Sequence, residues 1–490
     1  MLLWSHWWLI VSQLRPACSR QRTFLWLAVT LAAMAVRRDL GGVTSFVRAL
    51  GLKSACYGCL LDFFHSPALC VDALARRWGR VVLATHPGVQ RVNGRLILLA
   101  DGLKKSKAGR KMPAVKSLHQ ASDSNTKPEY IMGHSCQALA LLVKVGASFQ
   151  AVPLTARIHE GLVFSNRDRR TLLDKLLLLL AALQLPETVL LVADAYYACG
   201  KIIAGLIDQG GHLISRLKKN ACAYTVPPGP RRAGRGRPRL YGTKIRLRDL
   251  FTGPLATMPS PVYDEHNVTL RWTCRDLLWR PAGRLVRFVA VVHPHRGQIL
   301  LLSTDLTLAP AEIIRLYALR FKIEVSFKQA LHSVGTWAYH FWMRPMTPLR
   351  RFQGDQFLHH KSAAYRTAIR RKLDAYHRHI QIGLVAQGLL QCLAALHPTL
   401  VWRHFGSWLR TVRSPHCPSE CVVACALRHS LPEFLAASPQ GSSSSYSSAN
   451  ASISSASRAL ASPPKPKPLP KPALSSSEED SLRFNVSPSS

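Results

Sequence analysis

Hydrophobic and polar positions divide the chain into a helical first part and a mixed second part. Through residues 1–92, apolar side chains recur at the 3.6-residue spacing of helices, with arginines and lysines between them. This pattern predicts an N-terminal helical domain, which serves either as a DNA-binding domain or only as a packing domain. No helix-turn-helix spacing is sharp enough to decide between these two roles.

From residue 94 the spacing changes to that of strands with a helix between them. Short apolar runs predict strands at residues 96–100, 130–143, 148–158 and 188–193. The leucine-rich stretch 172–183 predicts a crossover helix, with Ser165 or Asn166 as its N-cap. Strands connected through a helix in this way indicate an α/β layer.

Later regions add a β-rich insertion, more helices and a tail. Alternating residues and a Pro/Gly-rich basic loop predict that 222–306 is a β-rich insertion. Pro310 suits the first turn of a long helix, and 382–396 and 400–436 predict further helices. From residue 437 the composition is rich in serine and proline, which predicts a disordered tail.

The charge of the chain favours a polyanionic partner. Of 490 residues, 65 are Lys or Arg and 26 are Asp or Glu, so the formal net charge is +39. The tail carries a net charge of only +2, which leaves about +37 on the part that is predicted to fold. A charge of this size favours nucleic acid first and an anionic membrane second.

Membrane spans and disulfides are not predicted. The apolar run at residues 23–36 has 14 residues, and crossing a bilayer takes about 20. The 12 cysteines show no disulfide framework, which favours free thiols in a reducing cytosol.

Asp101 is the first candidate for chemistry. It follows the apolar run 96–100 and is followed by a basic stretch consisting of Lys104, Lys105, Lys107, Arg110 and Lys111. A lone aspartate at a strand end usually caps a turn. However, Asp194 follows the run 188–193 in the same way, and acidic residues are scarce in this chain. The pattern therefore predicts two carboxylates at neighbouring strand ends, beside cations that attract a polyanion.

A third carboxylate lies in the helix that begins at Pro310. Tyr317, Arg320, Glu324 and Lys328 stand at positions i, i+3, i+7 and i+11, so they share one helix face. This face is either an exposed, salt-bridged stripe or the wall of a cleft.

Asp101, Asp194 and Glu324 together predict a metal site. Three converging carboxylates can hold two divalent ions, and oxygen ligands suit Mg²⁺ or Mn²⁺. Without metal, the three acids would repel one another and raise each other's pKa. Two ions would activate a water or a 3′-hydroxyl and stabilise the leaving oxygen of a phosphoryl transfer.

A second DNA contact is predicted in the basic loop of the insertion. The sequence RGRP at 235–238 has the form of an AT-hook, in which Arg235 and Arg237 would enter a narrow minor groove. A solvated basic loop is the equal alternative.

These segments resemble bacterial insertion-sequence transposases of the DDE superfamily, in the branch with a Tyr-Arg-Glu-Lys signature. Residues 101–134 resemble the region of the first aspartate, LLVADAYYA (190–198) that of the second, and YALRFKIEVSFK (317–328) the signature. GRGRPRLYG, WAYHFWMRP and AQGLLQCLA are also similar to segments of that family. The resemblance covers about residues 40–436.

The resemblance implies a fold and roles for the residues. It implies an α/β fold with an RNase H-like core, formed by 93–221 and 307–436 and interrupted by the insertion. It also implies that the three acids bind metal and that Tyr317 and Arg320 contact phosphates. The signature lysine is expected seven residues after Glu324, where this chain has Leu331. Either Lys328, one helical turn after Glu324, takes its place as a DNA contact, or the anchoring of phosphate is weaker.

The resemblance also implies partners and a location. The expected partners are terminal inverted repeats and target DNA, held by a homodimer in the bacterial cytoplasm at the nucleoid. The activity would be metal-dependent cleavage at the element ends, followed by strand transfer. Two alternatives stay open: a catalytically inactive DNA-binding relative of transposases, and another RNase H-like DNA nuclease.

Overall fold

The chain begins with a helical part, as predicted. The computed structural model describes residues 2–120, 128–218, 220–227, 239–408, 411 and 416–437. The first helices are α1 (Leu3–Ser12), α2 (Gln21–Val36), α3 (Val43–Ala49), α4 (Cys56–His65) and α5 (Val71–Thr85). Their apolar stripes, including Leu3, Leu27 and Trp78, are buried, because each stripe covers a neighbouring element.

Strands then dominate as far as residue 303. In chain order these elements are β1 (Arg91–Val92), β2 (Arg95–Ser106), β3 (Lys116–His119), β4 (Tyr130–Val145), β5 (Ser148–Ile158), β6 (Leu162–Val163), α6 (Leu172–Leu183), β7 (Val189–Ala193), α7 (Gly200–Ile207), β8 (His212–Arg216), β9 (Cys222–Tyr224), β10 (Lys244–Arg246), β11 (Ala256–Pro259), β12 (Thr269–Trp279), β13 (Arg284–His293) and β14 (Gly297–Ser303).

The last part of the chain is mainly helical. Its elements are α8 (Pro310–Ala318), α9 (Lys322–Gln329), β15 (Gln356–Phe357), α10 (Ala363–Leu396), α11 (Pro398–Phe405) and α12 (Glu420–Ala436). The architecture is therefore a mixed α/β fold.

Within the described residues, one sheet contains thirteen strands, and β2 lies in its interior between β7 and β4. Its order is β10-β9-β12-β13-β14-β8-β7-β2-β4-β3, and β1, β5 and β11 pair with β2, β4 and β12. Strands β2, β7 and β8 are parallel, whereas β4 runs antiparallel to β2 and β14 antiparallel to β8. The predicted β-rich region thus continues the same sheet through β14.

Strand β2 is longer than the sequence predicts. Its first half, residues 96–100, is fully buried, as expected for a strand covered on both faces. The prediction that the strand ends at Asp101 is wrong, because β4 continues to pair with it from Asp101 opposite Ala138 to Ser106 opposite Gly133. Beyond Ala100 exposed and half-buried residues alternate, so polar side chains are tolerated on this half of the strand.

Helix α6 begins with a different cap from the predicted one. The Thr171 hydroxyl accepts from the Asp174 N–H, and the Asp174 carboxylate accepts from the Thr171 N–H, which makes a capping box. The prediction of Ser165 or Asn166 is therefore wrong, because the helix starts later than either residue would allow.

The helix predicted from Pro310 onward is interrupted. Pro310 is the first residue of α8, as expected, but a 3₁₀ turn at Leu319–Phe321 separates α8 from α9. A π-helical turn at Ala330–Val334 then follows α9. The 3₁₀ turn contains Arg320, so the interruption lies at a residue predicted to be functional.

The long helix α10 combines an exposed first half with a buried second half. By length and composition it is the one helix among the described residues that could cross a membrane, but 89% of its apolar window is buried inside the protein. Packing in a protein core produces the same pattern. The described residues up to Phe434 form one compact unit.

Candidate active site

Sheet register brings Asp101 and Asp194 side by side. Strands β2 and β7 are parallel, and Ala100 is the register partner of Ala193. The next residues on the two strands are therefore Asp101 and Asp194, and adjacent strands lie about 4.8 Å apart. The two aspartates that were predicted from separate apolar runs thus lie at neighbouring positions at one edge of the β2–β7 ladder.

Glu324 is connected to this pair through Arg320. One guanidinium nitrogen of Arg320 donates to Asp101 Oδ2 at 2.9 Å, and another donates to Glu324 Oε1 at 2.5 Å. The side chains of Arg320 and Asp101 are only 18% and 15% exposed, whereas that of Glu324 is 55% exposed. The predicted helix face therefore does turn toward the strand ends, and its arginine lies between the carboxylates.

Burial raises the pKa of Asp101 to about 6. The Arg320 guanidinium and the Gly102 N–H, which donates to Asp101 Oδ1 at 2.7 Å, both oppose this increase in pKa. The negative charges of Asp194 and Glu324 add to it, as expected for like charges at short range. Asp194 and Glu324 are therefore both close enough to influence Asp101.

Asp194 is held by its own strand end. Its carboxylate accepts from the Tyr196 N–H at 3.0 Å and caps a short 3₁₀ turn. The Ser215 hydroxyl on β8 donates to the Asp194 carbonyl at 2.7 Å, which ties two adjacent parallel strands together.

A third strand end supplies a cation that the sequence analysis missed. Ala193 is the register partner of Ser215 in the parallel β7–β8 pair, so Arg216 stands opposite Asp194. Arg216 is exposed, and its charge lowers the pKa of the Tyr317 phenol, which burial raises. The rule that identified the two aspartates, a polar residue directly after a buried strand, applies equally to Arg216.

A polar cleft of about 720 Å³ opens beside the two aspartates. Gln137 and Tyr197, which the sequence analysis did not single out, line it together with Asp101 and Asp194. The Gln137 amide donates to the Tyr197 hydroxyl at 3.2 Å, and both side chains are buried. Gln137 was detectable in principle, since it is a polar residue within the apolar run at 130–143.

The basic residues after Asp101 divide into exposed and buried ones. Lys104 is exposed, and its ammonium donates to the His119 carbonyl at 2.6 Å. Lys107 is buried, donates to the carbonyls of Trp337 and Tyr339, and lies 3.7 Å from the centroid of the Tyr339 ring. The expectation that Lys107 attracts a polyanion is therefore wrong, because the aromatic core covers its ammonium group.

Arg110 and Lys111 face a neighbouring basic segment. Arg110 donates to the Leu349 carbonyl at 3.2 Å, and Lys111 donates to the Arg344 carbonyl at 3.2 Å. Lys105 is half-buried on β2. All three remain available as predicted DNA contacts.

Of the remaining predicted DNA contacts, the structure describes Lys328 but not Arg235 or Arg237. Lys328 is exposed on α9, one turn after Glu324, whereas Leu331 packs against the core. Arg235 and Arg237 lie outside the described residues.

Carboxylates are suitable ligands for a divalent ion, but the side chains of this site are not arranged to hold one. Carboxylate oxygens are the ligands that Mg²⁺ and Mn²⁺ prefer. Among the described residues, however, no group of three or more His, Cys, Asp or Glu side chains is placed to hold a metal ion. The positive charge between Asp101 and Glu324 comes instead from Arg320.

The fold and the site thus define an α/β protein in which clustered acids lie among cations. Residues 154–338 match a family of transposase DDE domains. The match covers less than half of the chain and includes Asp194 and Glu324. It supports a DNA transposase of the DDE superfamily.

Other comparisons add little to this result. None of the curated proteins compared with the chain matches it. Among solved structures, the chain is similar to the cryo-EM structure of the piggyBac transposase synaptic complex with hairpin DNA, at 11% sequence identity and a TM-score of 0.35. That similarity covers 88% of this chain and 80% of the other. A TM-score of this size carries no argument about fold or function.

Proposed function

We propose that this protein is a DNA transposase that cleaves DNA at the ends of an insertion sequence and joins the freed 3′-hydroxyl to target DNA. The observation that carries the proposal is the register of β2 and β7, which sets Asp101 beside Asp194, while Arg320 connects Asp101 to Glu324. Acids that share a site with Arg216, Arg320 and Lys104 suit a reaction on a phosphate backbone.

The proposed catalytic residues are Asp101, Asp194 and Glu324, with Mg²⁺ or Mn²⁺ as the cofactor. When bound, two ions would activate the attacking oxygen and stabilise the leaving oxygen. The acids would hold the ions, and Arg320 would have to release Asp101 and Glu324 first. The released guanidinium would then be free to bind a phosphate, together with Tyr317 and Lys328.

We further propose that β5, β4, β2, β7 and β8 form an RNase H-like core. In this order β2 is central, β4 is antiparallel to it, and β7 and β8 extend the sheet as parallel strands. We propose the Tyr-Arg-Glu-Lys branch as well, with Lys328 in the role of the absent lysine, because Leu331 packs against the core and Lys328 is exposed.

The proposed partners are terminal inverted repeats and target DNA, and the proposed assembly on DNA is a homodimer in the bacterial cytoplasm. DNA that flanks the gene should carry short inverted repeats, bracketed by a duplicated target sequence. Such repeats would also provide the substrate for the cleavage experiment.

The decisive experiment is a cleavage assay on those repeat ends with Mn²⁺. Glu324→Gln and Asp194→Asn should each lower the cleavage rate by about 10³-fold or more, because each removes a carboxylate that would hold a metal ion at the reacting phosphate. DNA affinity should change little in both variants. Equal cleavage by the variants and the unaltered protein would overturn the assignment of the acids.

A second candidate is a DNA-binding relative of transposases that no longer cleaves. Two observations favour it: Arg320 neutralises two of the three acids, and Leu331 replaces the signature lysine. In that case the unaltered protein would bind the repeat ends and leave them intact with Mg²⁺ or Mn²⁺. Cleavage of branched DNA without regard to terminal sequence would instead indicate another RNase H-like nuclease.

A further inference from the structure

A basic groove lies between the end of α4 and the first half of α10, apart from the acids. It has a volume of about 780 Å³. Its lining includes Trp342, Arg344, Arg371, Lys372 and His65. An exposed aromatic side chain with several cations around it is the composition of a nucleic-acid contact.

Buried neighbours hold Trp342 and Arg344 outward. Phe341 and Met343, on either side of Trp342, are each 5% exposed, whereas Trp342 is 67% exposed. The Met343 N–H donates to the Lys111 carbonyl at 3.0 Å, which fixes this segment to the chain that leaves β2. The backbone at Trp342 is therefore anchored by its neighbours, and the Trp342 side chain presents most of its surface to solvent.

The cations of the groove have no carboxylate partners. None of the ion pairs within the described ranges includes Arg344, Arg371 or Lys372. The Lys372 ammonium instead contacts His65 Nε2 at 2.8 Å. His65 Nδ1 lies 2.7 Å from the Leu61 carbonyl and donates to it, so Nε2 is the acceptor for Lys372. Asp62 also lines the groove, but Arg344, Arg371 and Lys372 outnumber it, so the groove presents net positive charge to a partner.

The groove is continuous with the basic residues that follow Asp101. Lys111 and Arg344 are joined by a side-chain to carbonyl hydrogen bond of 3.2 Å. From Asp101, strand β2 continues for five residues, or roughly 17 Å, before the chain reaches this segment. A strand of nucleic acid that leaves the acids along β2 would thus meet the groove.

We infer that this groove binds an unpaired strand of DNA, with a base stacked on Trp342 and phosphates on Arg344, Arg371 and Lys372. A flat aromatic face stacks most readily on an unpaired base, because the base faces inside a duplex are covered by their neighbours, and this favours a single strand over a duplex. The choice of DNA over RNA rests on the proposed function. The inference that the groove binds a single strand of nucleic acid rests on the cations and Trp342, and it does not depend on the proposed function.

The test is binding of a fluorescent 20-nucleotide single strand by the full chain in EDTA, measured by anisotropy. Trp342→Ala should weaken single-strand binding by roughly 10-fold, since stacking of one base contributes 1–3 kcal/mol. The matched control is Trp408→Ala, because Trp408 is also exposed, at 90%. Affinity for a blunt duplex should change less than 2-fold in both variants.

Charge is tested separately. Arg344→Ala combined with Arg371→Ala should lower the slope of log K against log salt by about 1.4 for the single strand, at 0.7 per phosphate. Arg20→Ala with Arg22→Ala is the control, because both arginines are exposed on or beside α2. If Trp342→Ala does not fold, these two double variants still test whether the groove binds a single strand of DNA.

Three results would overturn the inference. They are equal losses in the Trp342 and Trp408 variants, an equal loss for duplex and single strand, and tighter binding of RNA than of DNA. Because EDTA removes divalent ions, a failure of the proposed cleavage activity would not affect this measurement, and the two proposals can fail separately.

Discussion

At the scale of single residues, Arg320 determines the state of the acids. Asp101 is largely buried, and an isolated buried carboxylate is costly unless a cation compensates it. Arg320 supplies that cation and is itself mostly buried. Its contact with the more exposed Glu324 is screened by solvent and contributes less.

Arg320→Met should therefore lower the free energy of unfolding by about 2–4 kcal/mol at pH 8, because Asp101 is left charged and without a partner. Urea unfolding measures this loss. Asp101→Asn combined with Arg320→Met should recover most of the stability, because the only carboxylate that then lacks its arginine is Glu324, which is 55% exposed. Arg315→Met, which breaks only the half-exposed pair with Glu312, should cost less than about 1 kcal/mol. A double variant as unstable as Arg320→Met would contradict the explanation.

At the scale of elements, helices α10 and α5 approach each other closely where Gly388 meets Trp78, and Trp78 also contacts the sheet. A Cβ at Gly388 would lie 2.3 Å from Cζ2 of Trp78, and Trp78 cannot move easily. Its side chain is fully buried, and its Nε1–H donates to the Pro153 carbonyl on β5 at 2.9 Å. Gly388 is therefore required by packing rather than by backbone conformation.

Gly388→Ala should lower the free energy of unfolding by about 1–3 kcal/mol, because overpacking outweighs the usual gain in helix propensity. Gly58→Ala in α4 is the control, since its Cβ would meet nothing within 4 Å. That change should be neutral or stabilise the protein by up to about 1 kcal/mol. Urea unfolding of both variants measures the difference, and equal effects would contradict the packing role.

At the scale of the whole molecule, buried histidines make stability depend on pH. His86, His134 and His379 are buried. Burial lowers the pKa of His86 to about 4 and that of His134 to about 3, and it also lowers the pKa of His379. These groups stay neutral in the folded state but bind protons in the unfolded chain below about pH 6.5. Their contribution to stability is therefore complete above pH 6.5 and is lost as the pH falls toward these folded-state values.

The free energy of unfolding should fall as the pH drops below about 6.5, with a slope that approaches about 1.4 kcal/mol per pH unit from each such histidine near pH 5. Urea titrations at constant ionic strength measure this slope. His134→Gln should reduce the slope by up to about 1.4 kcal/mol per pH unit. His119→Gln should leave it unchanged, because His119 is exposed. Stability that stays constant over this range would contradict the explanation.

Much of the element order could be predicted from sequence, because it depends on local spacing. The N-terminal helices, the strand that ends at Ala193 and the helix that begins at Pro310 all follow from apolar periodicity or from proline. The true cap of α6 was missed, since several polar residues before a helix compete for that position. The length of β2 was missed because β4, rather than the residues of β2 themselves, decides how far pairing continues.

The sequence by itself was enough to select the residues that we propose carry the chemistry. Asp101 and Asp194 each follow a buried run, and Glu324 lies on a polar helix face, so local patterns were sufficient to find them. Only the tertiary structure decided that Arg320 lies between Asp101 and Glu324 and that Lys107 is enclosed by the aromatic core. Arg320 and Asp101 are 219 residues apart in the chain. No local spacing predicts a contact over that separation, because it forms only when the 3₁₀ turn between α8 and α9 packs beside β2.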